Sequence, residues 1–272
     1  FPTRRSSDLN QFYIGAIIAI GLGIYSFTLP KCPPLASKIE KKNFVELLGL
    51  DAFKLFKDAK IAIFFIFSMF LGASLQLTNA YGDTFLHDFA GIEAYKDSIA
   101  VKFPAIIMSI SQISETLFIL AIPFFLKRFG IKQVMLISMI AWVLRFGLFA
   151  YGNPSDGLWM IIMSCIVYGM AFDFFNISGS LFVEREADIK IRASAQGLFM
   201  LMTNGIGAIM GGWAAGKVVD HFTTNIEGAC SGVKDWPSIW FTFAAYALVL
   251  AIAFPLVFKY KHDPKAIEKI VH

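Results

Sequence analysis

FPAIIMSISQISETLFILAIPFFL, residues 103–126, is a run apolar enough to cross a membrane, broken near its middle by one carboxylate, Glu115. Gln112 stands one helical turn before it. About 20 helical residues cross the ~30 Å hydrocarbon core of a bilayer. A charge at the centre of that core costs at least ~2.5 kcal/mol, so an ionisable group there marks a substrate or proton pathway by default.

The rest of the chain has the same character. Hydrophobic residues make up 57% of it and charged residues 16%, with 29 Phe, which is richer in apolar and poorer in charged residues than an ordinary soluble domain. Further runs of crossing length lie at 11–30, 61–86, 132–151, 158–182, 195–216 and 238–258, so seven spans are expected. The bilayer interior offers backbone groups no water, and spans of this length must be helices. The expected fold is an all-α polytopic membrane protein. With the carboxyl end cytoplasmic, seventeen Lys and Arg fall in inside segments, and only Lys96, Lys102, Lys217 and Lys234 fall outside. That asymmetry predicts a multi-pass protein with a cytoplasmic C-terminus. The net charge of +4 then belongs to loops facing anionic lipid headgroups. No basic run is interleaved with exposed aromatics, which argues against nucleic acid as a partner.

Residues 1–9, FPTRRSSDL, lack an initiator Met and set a polar, arginine-bearing stub against an apolar span. They are read as an adaptor-derived or truncated, non-native segment and set aside. A span at 10–30 follows, then a basic linker at 31–60, stopped at its start by Pro30, Pro33 and Pro34. Within the linker, Phe44, Leu47, Leu48 and Leu55 recur at helical intervals, predicting an interfacial amphipathic helix over 43–58. A six-helix bundle at 61–260 and a cytoplasmic tail at 261–272 complete the expected organisation. Seven spans with an inside carboxyl end put residue 10 outside, so the natural start is expected to lie upstream.

Few residue types offer reaction chemistry. Cys32, Cys165 and Cys230 are odd in number and far apart, indicating neither a disulfide framework nor a metal knuckle. His87, His221, His262 and His272 sit at span ends or tails without metal-ligand spacing. There is no phosphate-cradling loop and no nucleophile elbow. No enzyme, metal or cofactor is expected.

Polar groups inside the spans are therefore the informative ones. Gln76 and Asn79 share one helical face, which Asp83 continues; Gln112 and Glu115 repeat the spacing. Tyr168 and Phe172 are four residues apart, Asp173 is next, and Asn176 lies about one turn on. Converged on one cavity, three such stripes offer amides, carboxylates and stacking rings suited to a polar ring compound bearing hydroxyls. Each has a plainer reading. A single amide in a membrane helix is often interhelical glue worth ~0.6–2 kcal/mol, and Tyr168 and Phe172 alone read as packing residues. Glu115 and Asp173 resist that reading because of their desolvation cost. Arg145 offers a counter-ion to a carboxylate, yet it is near enough to the outer end of its span to snorkel, and structural pairing is the expectation for it. Gly207 and Gly211, then Gly212 and Gly216, read as close helix packing.

The strings at 71–89 (LGASLQLTNAYGDTFLHDF), 109–135 (SISQISETLFILAIPFFLKRFGIKQVM), 141–152 (AWVLRFGLFAYG), 168–184 (YGMAFDFFNISGSLFVE) and 191–205 (IRASAQGLFMLMTNG) resemble the bacterial nucleoside:proton symporters of the major facilitator superfamily. The resemblance runs from about Gln11 to His262. It implies helices 6 to 12 of a twelve-helix nucleoside permease, without the family's remaining contacts on the first half. It also implies substrate contacts at Gln76, Asn79, Gln112, Glu115, Tyr168 and Phe172, with stacking of the base on Phe172, and an adjoining family aspartate at Asp173.

The implied activity is secondary active transport of nucleosides across the bacterial inner membrane, driven by proton symport through alternating access. Glu115 and Asp173 are the proton-coupling candidates. Such a protein is expected to be a monomer whose ligands are nucleosides and protons; by itself, a chain with half a binding site is not expected to transport. A major facilitator carrier of another polar solute, such as a sugar, fits the same polar stripes, and a structural subunit would tolerate leucine at both carboxylates.

Overall fold

A computed structural model describes residues 4–30, 49–224 and 232–260, with side chains from residue 12 onward. The chain divides into two units, Phe1–Asn43 and Phe44–His272. The first holds helix α1, Arg4–Ser26, whose apolar part is Phe12–Ser26. It begins inside the stub that composition set apart. The segment 31–48, which carries Cys32, Phe44, Leu47 and Leu48, lies outside the described residues, as do Cys230 and the tail from 261 with His262 and His272.

The second unit is a bundle of six helices, each long and apolar enough to cross a membrane. They are α2 (Ala59–Asp88), α3 (Pro104–Phe129), α4 (Ile131–Tyr151), α5 (Leu158–Glu186), α6 (Arg192–His221) and α7 (Trp236–Val257). Of the seven expected spans, six match these helices; the seventh falls on α1, whose apolar part is shorter. The described part of the expected amphipathic helix is a 3-10 helix, Leu50–Lys57, with Leu55 and Phe56 packed on the core and Phe53 exposed. Asp58 ends it and caps α2, its carboxylate accepting from the Lys60 and Ile61 amides at 2.8 and 3.3 Å. At the α3–α4 junction Gly130 takes φ +79°, a left-handed conformation that glycine enters without steric cost.

Helix α5 packs between α3 and α4, α7 packs on α4, and α6 packs along α2. The helices are joined by contacts suited to an apolar solvent, where small residues let backbones approach and hydroxyls bond across. Ser114 Oγ on α3 donates to the Ile166 carbonyl on α5, and Ser138 Oγ on α4 donates to the Ala171 carbonyl. Ser164 Oγ on α5 donates to the Arg145 carbonyl at 2.9 Å. Tyr246 on α7 donates to the Phe70 carbonyl on α2 at 2.7 Å. Lys60 pairs with Glu186 at one end of the bundle, and Asp88 accepts from Lys234 (2.8 Å) and Trp236 (3.0 Å) at another point of the α2–α7 contact.

The α2–α6 contact is made by glycines. A Cβ added to Gly72 would lie 2.0 Å from the Thr203 carbonyl oxygen, and one on Gly207 2.4 Å from that of Met69. One on Gly211 would lie 2.6 Å from Ala73 Cα. Opposite Gly72, α6 is not α-helical but π-helical, over Leu201–Gly207. The Thr203 hydroxyl lies 3.0 Å from the Phe199 carbonyl and 3.3 Å from that of Met200, donating into the turn that the π segment leaves irregular. Gly207 and Gly211 thus serve the close packing that their spacing predicts, whereas Gly212 and Gly216 do not: a Cβ on either would meet only a side-chain atom, Gln76 Cγ at 3.9 Å or the Tyr81 hydroxyl at 4.0 Å.

Overpacking a tight contact costs about 1–3 kcal/mol. Gly72→Ala is therefore expected to lower the thermal stability of the detergent-solubilised protein by that amount. Gly147→Ala, where an added Cβ meets nothing within 4 Å, is the control and should leave the melting temperature unchanged or slightly raised. Equal melting temperatures for the two variants would show that α2 and α6 are not in backbone contact.

Candidate functional site

The site starts from one close approach. A Cβ on Gly169 of α5 would lie 2.6 Å from the Glu115 amide nitrogen and 2.7 Å from the Ser114 carbonyl oxygen of α3. Only glycine admits that contact. It sets Glu115, midway along α3, beside Tyr168, the residue preceding Gly169. Glu115 lies within electrostatic reach of Tyr168, Arg145 and Asp173, so three helices deliver four titratable groups to one region of an apolar bundle.

Tyr168 is buried, 6% exposed. Its ring lies edge-to-face with Trp142 at 5.9 Å and parallel to Phe172 at 6.1 Å, with 5° between planes. The Arg145 guanidinium sits over its other neighbourhood, 4.2 Å from the Tyr168 centroid and 5.0 Å from that of Phe149. Arg145 is 0% exposed. Its Nη1 donates to the Ser164 carbonyl at 2.8 Å and its Nε to Thr78 Oγ1 at 3.4 Å. Structural pairing, the sequence expectation, is what the contacts show; snorkelling is not. The reason is that α4 is covered by α5 and α7 at this level, so two carbonyl or hydroxyl acceptors and two ring faces replace water.

Arg145, Tyr168 and Thr78 border a groove of about 560 Å³, within the size range of small-molecule sites. Its walls are Thr78, Asn79 and Asp83 from α2, Met108, Ser111 and Gln112 from α3, Arg145 from α4 and Tyr168 from α5. Asn79 and Gln112 are exposed to it from opposite sides. Asp83, which continues the face of Asn79, pairs with His87 at 3.3 Å. Ser111 is buried, with its hydroxyl beside the buried Cys165 thiol. A second, narrower cleft lies between α2, α5 and α6, and Phe172 is one of its walls.

Of the residues singled out from sequence, Asn79, Gln112 and Tyr168 share the groove, and Glu115 adjoins it through Tyr168. Phe172 lines the neighbouring cleft. Gln76 is not among the groove walls; it is half-buried, and its Cγ lies 3.9 Å from where a Gly212 Cβ would be, toward α6. Asp173 is 5% exposed, and its Oδ2 has no hydrogen-bond partner among the described residues. Gly169, Thr78, Ser111 and Met108 were not anticipated. Gly169 had a signal, a glycine directly after Tyr168 on a helix carrying charge; the other three look like ordinary packing residues until the helices are assembled.

A bundle of membrane-spanning helices around a groove of amides, rings and buried charges is the architecture of a solute carrier. The chain matches the family described as Nucleoside H+ symporter over residues 5–263, and it belongs to that family. It is 56% identical to the xanthosine permease of Escherichia coli (strain K12), over 96% of this chain and 60% of that protein. It is also 56% identical to the nucleoside permease NupG of the same organism, over 93% of this chain and 59% of that protein. A crystal structure of the nucleoside transporter NupG superposes with a TM-score of 0.75 at 56% identity, covering 92% of this chain and 60% of that one. An aspartate-to-alanine mutant of NupG superposes with a TM-score of 0.79. The fold is that of a major facilitator superfamily transporter, and the chain spans about 60% of the length of the relatives it matches.

Hydrogen bonds to charged groups are worth about 1.5–3 kcal/mol each, and both bonds of Arg145 are buried. Arg145→Met is therefore expected to destabilise the bundle by at least about 2 kcal/mol, measured as a drop in melting temperature. Arg145→Lys should recover only part of it, because an ammonium lacks the planar fork that meets two acceptors and stacks on rings. A neutral Arg145→Met variant would show that the buried guanidinium is not engaged as described.

Proposed function

We propose that this chain carries the carboxyl-side wall of the substrate site in a proton-coupled nucleoside transporter of the bacterial inner membrane. The carrying observation is the groove itself, in which Asn79, Gln112 and Tyr168 face one space beside Glu115 and the buried Arg145. Amides supply paired donors and acceptors for ribose hydroxyls and base edges, and Phe172, stacked on Tyr168, supplies an aromatic face for the base. The names of the relatives, a xanthosine permease and a nucleoside permease, support nucleosides over a sugar as the cargo. Gln76 contributes from the α6 side of α2.

Alternating access rocks helix bundles about a site near the bilayer midplane. A buried carboxylate whose surroundings change between the two states binds a proton in one and releases it in the other. Glu115 and Asp173 are the groups in position to do so. Glu115 faces Tyr168 and Arg145, whereas Asp173 is buried with one oxygen that has no hydrogen-bond partner among the described residues. The basic ends of the helices face the cytoplasm in this reading, with lipid headgroups as their neighbours, and the protein works as a monomer without a cofactor.

In the complete gene product, Glu115→Gln or Asp173→Asn is expected to abolish uptake of labelled uridine against a gradient while sparing exchange of uridine across the membrane. If Glu115→Gln still concentrates uridine, Glu115 is not the proton-linked group; if both variants do, the coupling lies elsewhere. Competition of the same uptake by a panel of nucleosides and sugars should show inhibition by nucleosides alone. Inhibition by sugars at similar concentration would favour the other solute class.

A further inference from the structure

The cleft beside Phe172 carries two amides that no role yet explains. Asn176, about one turn beyond Phe172 on α5, and Asn204, in the π segment of α6, both line it, together with Thr203 and Gly72. Asn204 is exposed to the cleft, and its only hydrogen-bond contact among the described residues is a long one, Nδ2 to Met200 Sδ at 3.6 Å. The Asn176 side chain is half-buried and has no hydrogen bond among the described residues. Two amides left this open inside membrane-spanning helices are costly, since hydrocarbon satisfies no polar group. They are tolerated where they line a cavity that water or a ligand fills.

The π segment explains how α6 brings Asn204 there. At Thr203 the backbone of α6 is pressed against Gly72 of α2, within the π segment that also carries Asn204. The wider π turn changes the helical phase at this point, and two consecutive residues, Thr203 and Asn204, come to border one cleft. π-bulges of this kind are concentrated at functional sites. The cleft's third feature is an aromatic wall, Phe172.

We infer that Asn176 and Asn204 are specificity-determining residues that read the hydrogen-bonding edge of a nucleobase stacked against Phe172. The inference rests on the proposed transport of nucleosides: the cleft itself, about 20 Å³, admits little more than a water, so the base lies across its mouth against Phe172 with only its edge directed at the two amides, and the ribose stays with the Asn79–Gln112 groove. A primary amide matches an adjacent donor and acceptor on a base edge with two bonds. Discrimination follows because a site built to hydrogen-bond one edge leaves its own polar groups unpaired against another.

The test uses the complete gene product and rates of uptake for adenosine, guanosine, cytidine, uridine and 2′-deoxyuridine. Asn204→Leu, Asn204→Asp and Asn176→Leu are compared with the unaltered protein. The expected result is that relative uptake among the four ribonucleosides shifts by roughly tenfold, while the uridine to 2′-deoxyuridine ratio, which reports the ribose, stays as it was. Asn204→Asp keeps the size and one acceptor set but removes the donors, so it separates base reading from a folding defect. A uniform fall for every nucleoside in all three variants, no change in any of them, or a shift confined to the 2′-deoxy ratio would overturn the inference. An unaltered protein that takes up no nucleoside would instead overturn the transport reading beneath it.

Discussion

The contact of α3 with α5 at Gly169 is the constraint on which the site depends. With the missing side chain there, the backbone of Ser114 and Glu115 comes to rest against α5, and Ser114 Oγ locks the register by donating to the Ile166 carbonyl. Any larger residue would have to push the two helices apart, because the atoms it would meet are backbone rather than the movable end of a side chain. The Glu115 carboxyl, Tyr168 and Asp173 would then no longer share one region. A costly charge in an apolar helix is placed, in this protein, by the smallest residue of its neighbour.

Arg145 is the second element of that arrangement. A lone guanidinium in an apolar interior is prohibitive, and breaking its pairing leaves an uncompensated charge. It is retained because four different groups receive it: a carbonyl on α5, a hydroxyl on α2 and the faces of Phe149 and Tyr168. In return it brings positive charge to the neighbourhood of Glu115 and connects α2, α4 and α5 at one level. Its position toward the end of α4 suggested an escape to the interface, yet the covering of α4 by α5 and α7 removes that route. Depth along a helix and depth within a bundle are different quantities, and only the first is readable from one chain.

The spans were legible because hydrocarbon imposes one rule on every residue, and six of them fall within a few residues of the helices. The stripe on α3 was legible for the same reason, since Gln112 and Glu115 stand out against apolar neighbours. Asn79, Gln112 and Tyr168 do share a groove, as their faces suggested. Gln76 does not, although it is on the face of Asn79; the two differ by most of a helical turn of rise and α6 takes up the side on which Gln76 lies. The π segment of α6 had no signal at all. It coincides with the pressing of Thr203 against Gly72, a tertiary contact between residues far apart in the chain. The stretch 50–57 is a 3-10 helix rather than a regular amphipathic turn, and its pattern of Leu and Phe does not distinguish the two.

The helix contacts also differ in kind, and the difference bears on how such a bundle moves. Helices α3, α4 and α5 are tied by hydroxyl-to-carbonyl bonds from Ser114, Ser138 and Ser164, each directional and each lost if the helices shift by an ångström or two. Helix α6 is tied to α5 near its start, where Gln196 and Ser180 exchange hydrogen bonds at 2.7 and 3.0 Å. Farther along, its contact with α2 is close packing of Gly72, Gly207 and Gly211 against backbone. Dispersion between such surfaces is strong in sum and without direction, so it opposes separation far more than sliding. The compliant seam of the bundle therefore runs along α2 and α6, beside the cleft that holds Asn204, while the wall that holds Glu115 and Tyr168 is the rigid one.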